Sequence, residues 1–266
     1  MYEEFYELER TPFVRGLPTE SLYMTDELEE MLVRLKYVAH RQLFAVVTGD
    51  CGTGKTTLLR KFKNDLDSTH YKFLYVSDSK LTPRNFYRNL LEQLGFEAKF
   101  YRGEAKRQLH REIEIMKGVH DVHPICVCDE CHLMNKEMLE EIRFLLNVQL
   151  DSISPMGLIL VGQTELWDKL QLQSYAAIRQ RIDVQSKINH YDRAQTASYI
   201  MHQLKSSGCD REIFSDAAID EIFRYTTGTA RLIDKVCTSL LLYGSQSKKR
   251  IIDDHAVKLI IECEFS

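Results

Sequence analysis

Gly49 to Thr56 reads GDCGTGKT and fits the spacing G-x-x-x-x-G-K-[ST] without a gap. Residue types in that order suit one kind of chemistry, the holding of the phosphates of a nucleoside triphosphate. Gly49, Gly52 and Gly54 let backbone N–H groups curl around the β-phosphate, with Asp50, Cys51 and Thr53 at the variable positions. Lys55 reaches the β/γ oxygens and the Thr56 hydroxyl ligates Mg²⁺. Thr57 follows in the first turn of the helix that starts there, whose positive dipole end adds to the attraction for phosphate.

The run ICVCDE, Ile125 to Glu130, is the natural partner of this loop. An apolar strand ending in two acids places Asp129 in the Mg²⁺ shell and Glu130 where it polarises the attacking water. The same stretch raises a rival reading, with Cys126, Cys128, Cys131 and His132 as a metal cluster. Cys126 and Cys128 alternate along a strand and share one face. Their spacing matches no zinc pattern, and free cysteine is commonly buried, so the core reading is preferred.

Three further places could serve the same chemistry. Gln163, just after LILVG, is either a solvated loop glutamine or placed to hold the lytic water or the γ-phosphate. AAIRQRID puts Arg179 and Arg181 at a helix end, either solvated or reaching a neighbour's γ-phosphate. TTGTARLIDKV puts Arg231 in the first turn of a helix, where its charge opposes the dipole and a phosphate would suit it.

The scaffold follows from the hydrophobic pattern. LFAVVT, KFLYVS, PICVCDE and GLILVG read as strands at 43–48, 72–77, 124–130 and 157–162. Helices are expected over 26–41, 56–66, 83–95, 103–120 and 136–150. Short strands alternating with helices imply a parallel sheet covered on both faces. Strand signals stop after about residue 190, and helices follow near 192–206, 215–226, 229–244 and 253–263. The expected organisation is an irregular lead-in at 1–24, an α/β core at 25–190 and a small all-helical part at 191–266.

Composition bounds the partners. The chain has 266 residues, 28% of them charged, and a formal net charge of −4, so a polyanion would need a local basic patch. Seven cysteines spread through apolar segments suggest reduced thiols rather than a disulfide framework. The opening MYEEFYELER is acidic and is no signal peptide. The runs LFAVV, LILV and SLLLY fall well short of the roughly 20 residues a spanning helix needs. A soluble, cytoplasmic protein without a membrane partner is expected.

GDCGTGKT, ICVCDE, GQTEL, QRI and GTAR, in that order, resemble the motif set of an AAA+ ATPase. FYELERTPF with LY, SDSKLTPRNFYRNLLEQLG and QLHREIE narrow the resemblance to the ExeA-like group, over nearly the whole chain. The resemblance implies a P-loop AAA+ core of α/β class, its parallel sheet flanked by helices, with a small C-terminal helical lid. It also implies ATP and Mg²⁺ as ligands. Gln163 would be sensor 1, Arg231 sensor 2, and Arg181 or Arg179 the arginine finger, with Arg181 favoured by its place in QRI.

Members of that group in type II secretion continue into a membrane segment and a peptidoglycan-binding module; this chain reaches Ser266 with neither. Stand-alone relatives resemble the ATPases that accompany transposases of the retroviral-integrase type, such as IstB, MuB and TnsC. The expected function is therefore a transposition regulator that oligomerises on duplex DNA, as a ring or helical filament, and recruits a transposase. An ATPase of a secretion or other protein complex, or a helicase-loader-like remodeller, is the alternative. Two helices, rather than one, separate the second and third strands, as in the AAA+ initiator clade. Positive charge concentrates there, with Lys99, Arg102, Lys106, Arg107 and Arg111 against Glu104 between residues 99 and 111. Upstream, Lys80, Arg84 and Arg88 repeat a four-residue step. Such rows suit regularly spaced phosphates and sequence-independent binding. A solvated helix face balanced by Glu112 and Glu114 is the competing reading.

Overall fold

The structure is a computed structural model that describes residues 2–14, 16–78, 81–146 and 154–265. In chain order it opens with α1 (Tyr2–Tyr6), α2 (Asp26–Arg41), β1 (Phe44–Gly49), α3 (Lys55–Asp65) and β2 (Tyr71–Val76). Next come α4 (Pro83–Gln93), α5 (Arg102–His120), β3 (His123–Cys128), α6 (Lys136–Leu145) and β4 (Gly157–Gly162). Then follow α7 (Thr164–Gln171), α8 (Ala176–Arg179) and β5 (Val184–Ile188). The last four are α9 (Arg193–Ser206), α10 (Asp216–Thr226), α11 (Ala230–Gln246) and α12 (Asp254–Glu264). Two compact units result. One comprises Glu27–Cys51 and Lys55–Ile188, the other Met1–Asp26, Gly52–Gly54 and Asn189–Ser266.

The first unit is a parallel sheet of order β2-β3-β4-β1-β5. Every residue of β1 and β4 is buried, as expected of central strands covered on both faces. β2 and β5 lie at the edges, where burial alternates with exposure. The sequence reading found four strands; β5 is the one it lacks. Val184, Ser186 and Ile188 are separated by polar Gln185 and Lys187, so there is no continuous apolar run to flag it. The sequence after β4 also predicts a loop, whereas Thr164 opens α7. Residues 147–150, expected to finish the sixth helix, lie outside the described residues.

The central core is built from β1–β4 with Phe86, Leu90 and Leu91 of α4, Leu109 and Ile113 of α5, and Leu139 and Ile142 of α6. Cys126, Cys128 and Cys131 are part of it, fully buried, with the Cys126 and Cys128 sulfurs 3.7 Å apart. α4 starts cleanly because Thr82 caps it, its hydroxyl accepting from Asn85 N at 3.4 Å, and Pro83 presets the first turn.

The second unit packs α9–α12 around Ile200, Leu204, Ile222, Val236 and Leu240. The lead-in belongs to this core: Tyr2, Tyr6 and Phe13 are buried in it. The Tyr6 hydroxyl donates to Lys249 O at 2.9 Å, and burial raises its pKa to about 12. A Cβ at Gly244 would stand 2.0 Å from that oxygen, so the seat exists only for glycine. α9 opens with a capping box between Asp192 and Gln195. No described helix is long and apolar enough to cross a membrane.

Candidate active site

β1 delivers Gly49 at its end and α3 begins at Lys55, so the phosphate loop is the turn between a buried strand and a helix N-terminus. Gly54 takes φ +102 and Gly52 φ +84, backbone shapes that a side chain disfavours. A Cβ at Gly54 would meet nothing within 4 Å, so the space beside that residue is open. Lys55 is 8% exposed, and its ammonium donates to Gly49 O at 2.7 Å and Asp50 O at 2.9 Å. Burial lowers its pKa; the fields of Glu130, Cys51, Asp129 and Asp50 oppose that shift. The ammonium is thus withdrawn from water, with the acidic groups around it favouring its charged form. Thr56 and Thr57 are exposed in the first turn.

Asp129 and Glu130 follow β3 directly. Asp129 is nearly buried; its Oδ2 accepts from the Tyr75 hydroxyl at 2.8 Å and its Oδ1 from Glu130 N at 2.8 Å. Burial and the Asp129 carboxylate push the Tyr75 hydroxyl well above its ordinary pKa, so it stays a donor. Two bonds fix the carboxylate and leave each oxygen a lone pair. Glu130 has left-handed backbone, φ 53, and a side chain 46% exposed. Hard oxygen donors on Thr56 and Asp129, beside a loop of N–H groups and a lysine, fit a triphosphate carrying Mg²⁺.

Gln163 is the residue before α7 and does not cap it with its side chain. Its neighbour Thr164 donates from Oγ1 to Asp50 Oδ1 at 2.6 Å, tying the end of β4 to the phosphate loop. Arg179 has a structural task that sequence reasoning missed. Its Nη1 donates to Leu170 O at 3.0 Å and Gln171 O at 2.6 Å, capping the carbonyl end of α7. Because the sequence reading did not treat α7 as a helix, that carbonyl end went unnoticed. Arg181 is partly buried two residues on.

Within the helical unit, Arg231 is the second residue of α11, and its N–H donates to Gly52 O at 3.2 Å. A Cβ at Gly52 would lie 2.9 Å from Arg231 Cβ and 3.1 Å from Thr229 Cγ2. Gly52 is therefore required by packing as well as by its φ.

A family model described as "AAA domain" matches residues 38–170. The chain belongs to the AAA domain family, and with it to the P-loop ATPases. General secretion pathway protein A of Aeromonas hydrophila is 26% identical over 91% of this chain and 44% of its own length. ATP-dependent target DNA activator B of Escherichia phage Mu is 23% identical over 70% of this chain and 58% of its own. This AAA chain spans about half the length of those two relatives. The Aeropyrum pernix ORC1 protein, solved in complex with DNA, shares the fold with TM-score 0.68 at 15% identity, over 91% of this chain and 66% of that one.

The AAA core also shows where the predicted basic rows go. Arg102, still exposed, and Lys106 both pair with the buried Glu141 of α6, Lys106 Nζ at 3.3 Å, and the Tyr87 hydroxyl donates to the same carboxylate. Arg88 pairs with Glu92 at 2.7 Å, and Arg84 stacks 4.4 Å over the Phe100 ring. Lys99, Arg107 and Arg111 are exposed, and none forms an ion pair among the described residues. Lys80 lies outside the described residues. Glu141, thirty-odd residues away in sequence, engages two of the five cations between residues 99 and 111.

Proposed function

We propose that this AAA domain binds ATP with Mg²⁺, hydrolyses it, and uses the cycle to assemble a homo-oligomer on duplex DNA that recruits a transposase. The supporting observation is the pairing of a poorly solvated Lys55 in a phosphate loop with Asp129 and Glu130 at the end of the next strand but one. In this reading Lys55 and the loop N–H groups hold the β/γ-phosphates, and Thr56 and Asp129 hold the metal. When bound, Mg²⁺ supplies charge neutralisation on the phosphates. Glu130 polarises the water, Gln163 orients it or the γ-phosphate, and Arg181 serves a neighbouring copy. Arg231 is the sensor 2 candidate.

DNA is favoured over another polyanion partner by the exposed Lys99, Arg107 and Arg111 and by the name of the phage Mu relative. Sequence-independent phosphate contacts predict a measurable signature. Replacing Lys99, Arg107 and Arg111 with Gln should weaken duplex binding for all sequences alike, and flatten the slope of log K against log salt by about one per residue. Unchanged affinity and slope in a titration at several salt concentrations would overturn the DNA reading. The secretion relative aligns over more of the chain, 91% against 70%, which favours a second reading as an ATP switch on a protein partner. In that case turnover responds to the partner protein and not to DNA.

A further inference from the structure

One imidazole beside the carboxylates is left without a task by the ATPase reading. His132 lies on the 3-10 turn Cys131–Leu133 that follows Glu130, its side chain 10% exposed. Its Nδ1 is 3.4 Å from the backbone N of Gln163 and 3.6 Å from Oε2 of Glu130. The turn is clamped around this ring. Lys169 of α7 donates to His132 O at 2.6 Å and to Met134 O at 3.0 Å, and Cys131 Sγ donates to Cys128 O at 3.0 Å. Gly162 packs so closely that a Cβ there would lie 3.1 Å from His132 N.

A single ring nitrogen has one in-plane position. Either its lone pair accepts from an N–H, or it carries a proton and donates. Nδ1 therefore serves Gln163 N or the Glu130 carboxylate, not both at once. We propose that His132 is a positioning residue for hydrolysis, setting the availability of Glu130 according to the state of the β4–α7 junction. While Nδ1 accepts from Gln163 N–H, it offers Glu130 no donor, and the carboxylate is left for water. When Nδ1 donates to Glu130, the carboxylate is occupied and the start of α7 loses its tie to the turn. Thr164 links the same junction to Asp50 in the phosphate loop. Asp50, Thr164, Gln163, His132 and Glu130 thus form one chain of contacts from the loop that holds phosphate to the group that activates water.

This inference rests on Glu130 being the water-polarising residue, so the test separates the two. His132→Leu keeps bulk and loses the polar atom; His132→Asn places Oδ1 near the position of Nδ1, able to accept from Gln163 N–H. His132→Leu leaves Glu130 without a donor but also loses the tie to Gln163 N–H, so the β4–α7 junction no longer orients the water for the freed carboxylate. The expected result is a kcat lower by roughly ten- to a hundredfold. Its Kd for a fluorescent non-hydrolysable ATP analogue should stay within about twofold, since the phosphate-holding groups are untouched. In the nucleotide-free protein, the Gln163 amide should exchange its hydrogen faster in His132→Leu than in wild type. His132→Asn should recover both turnover and protection. In a Glu130→Gln background, adding His132→Leu should cost nothing further, because the residue it positions is gone. Equal impairment of Leu and Asn variants, additive losses, or wild-type kcat in His132→Leu beside a stalled Glu130→Gln would each overturn the role of His132. Wild-type turnover in Glu130→Gln itself would instead remove the assignment on which it stands.

Discussion

Lys55 answers to two demands, since its ammonium ties Gly49 and Asp50 carbonyls together and is also the charge on offer to phosphate. Lys55→Ala should therefore lose ATP affinity in a fluorescent-nucleotide titration. Glu130→Gln should bind ATP like wild type and turn over at least about a hundredfold more slowly, the usual loss for a missing general base. The two neighbouring arginines should separate in the same way. Arg179 holds two helix-end carbonyls, so Arg179→Ala should lower unfolding stability by about 1–2 kcal/mol in urea, the value of charged hydrogen bonds. Arg181→Ala should lower turnover. The strand–loop–helix setting of Gly49 to Thr56 and the strand-end setting of Asp129 and Glu130 were legible because local backbone geometry imposes the spacing. His132 and Arg179 were not legible in these roles. What they do depends on a backbone N–H 31 residues away and on carbonyls eight and nine residues away, which no spacing rule exposes.

α5 shows what an element can hide from sequence. Its basic stripe reads as one polyanion-facing row, yet the fold brings a buried carboxylate of α6 to its first turn. Burial raises the pKa of Glu141, but the Tyr87 hydroxyl, Lys106 and Arg102 together hold it below the usual carboxylate value. A depressed folded value means that the stabilisation is fully present above the ordinary carboxylate range and is lost as pH falls through the folded value. Glu141→Gln should thus cost about 2 kcal/mol at pH 7 and progressively less toward pH 3, measured by urea unfolding at each pH. The cost should appear chiefly in the α4–α5–α6 layer, readable by hydrogen exchange. Central strands were easy to find because burial on both faces makes them continuous apolar runs. β5, buried on alternate residues at a sheet edge, shows its pattern only over five residues, too few to stand out from a loop.

For the whole molecule, the shared-site reading makes a test that needs no structure of the assembly. Glu130→Gln and Arg181→Ala should each be inactive alone and partly active when mixed, because some interfaces then pair an intact Glu130 with an intact Arg181. No recovery for Arg181→Ala, and none for Arg179→Ala, in assemblies shown by microscopy to be mixed would overturn the shared-site reading. A different consequence concerns how the chain is made. The seat of Tyr6 lies against Gly244 and Lys249, and the hydrogen bond to Lys249 O spans 243 residues. A ribosome adding about 5–20 residues per second needs on the order of ten to fifty seconds to cover that distance. For all that time Tyr2, Tyr6 and Phe13 have no core to enter, although residues 27–188 have already emerged with a core of their own. Tyr2, Tyr6 and Phe13 leave the exit tunnel long before the residues that cover them. A protease added to stalled nascent chains should cut the Tyr2–Phe13 segment readily at every stall point within these 266 residues, and sparingly once the finished chain is released and Lys249 is clear of the tunnel.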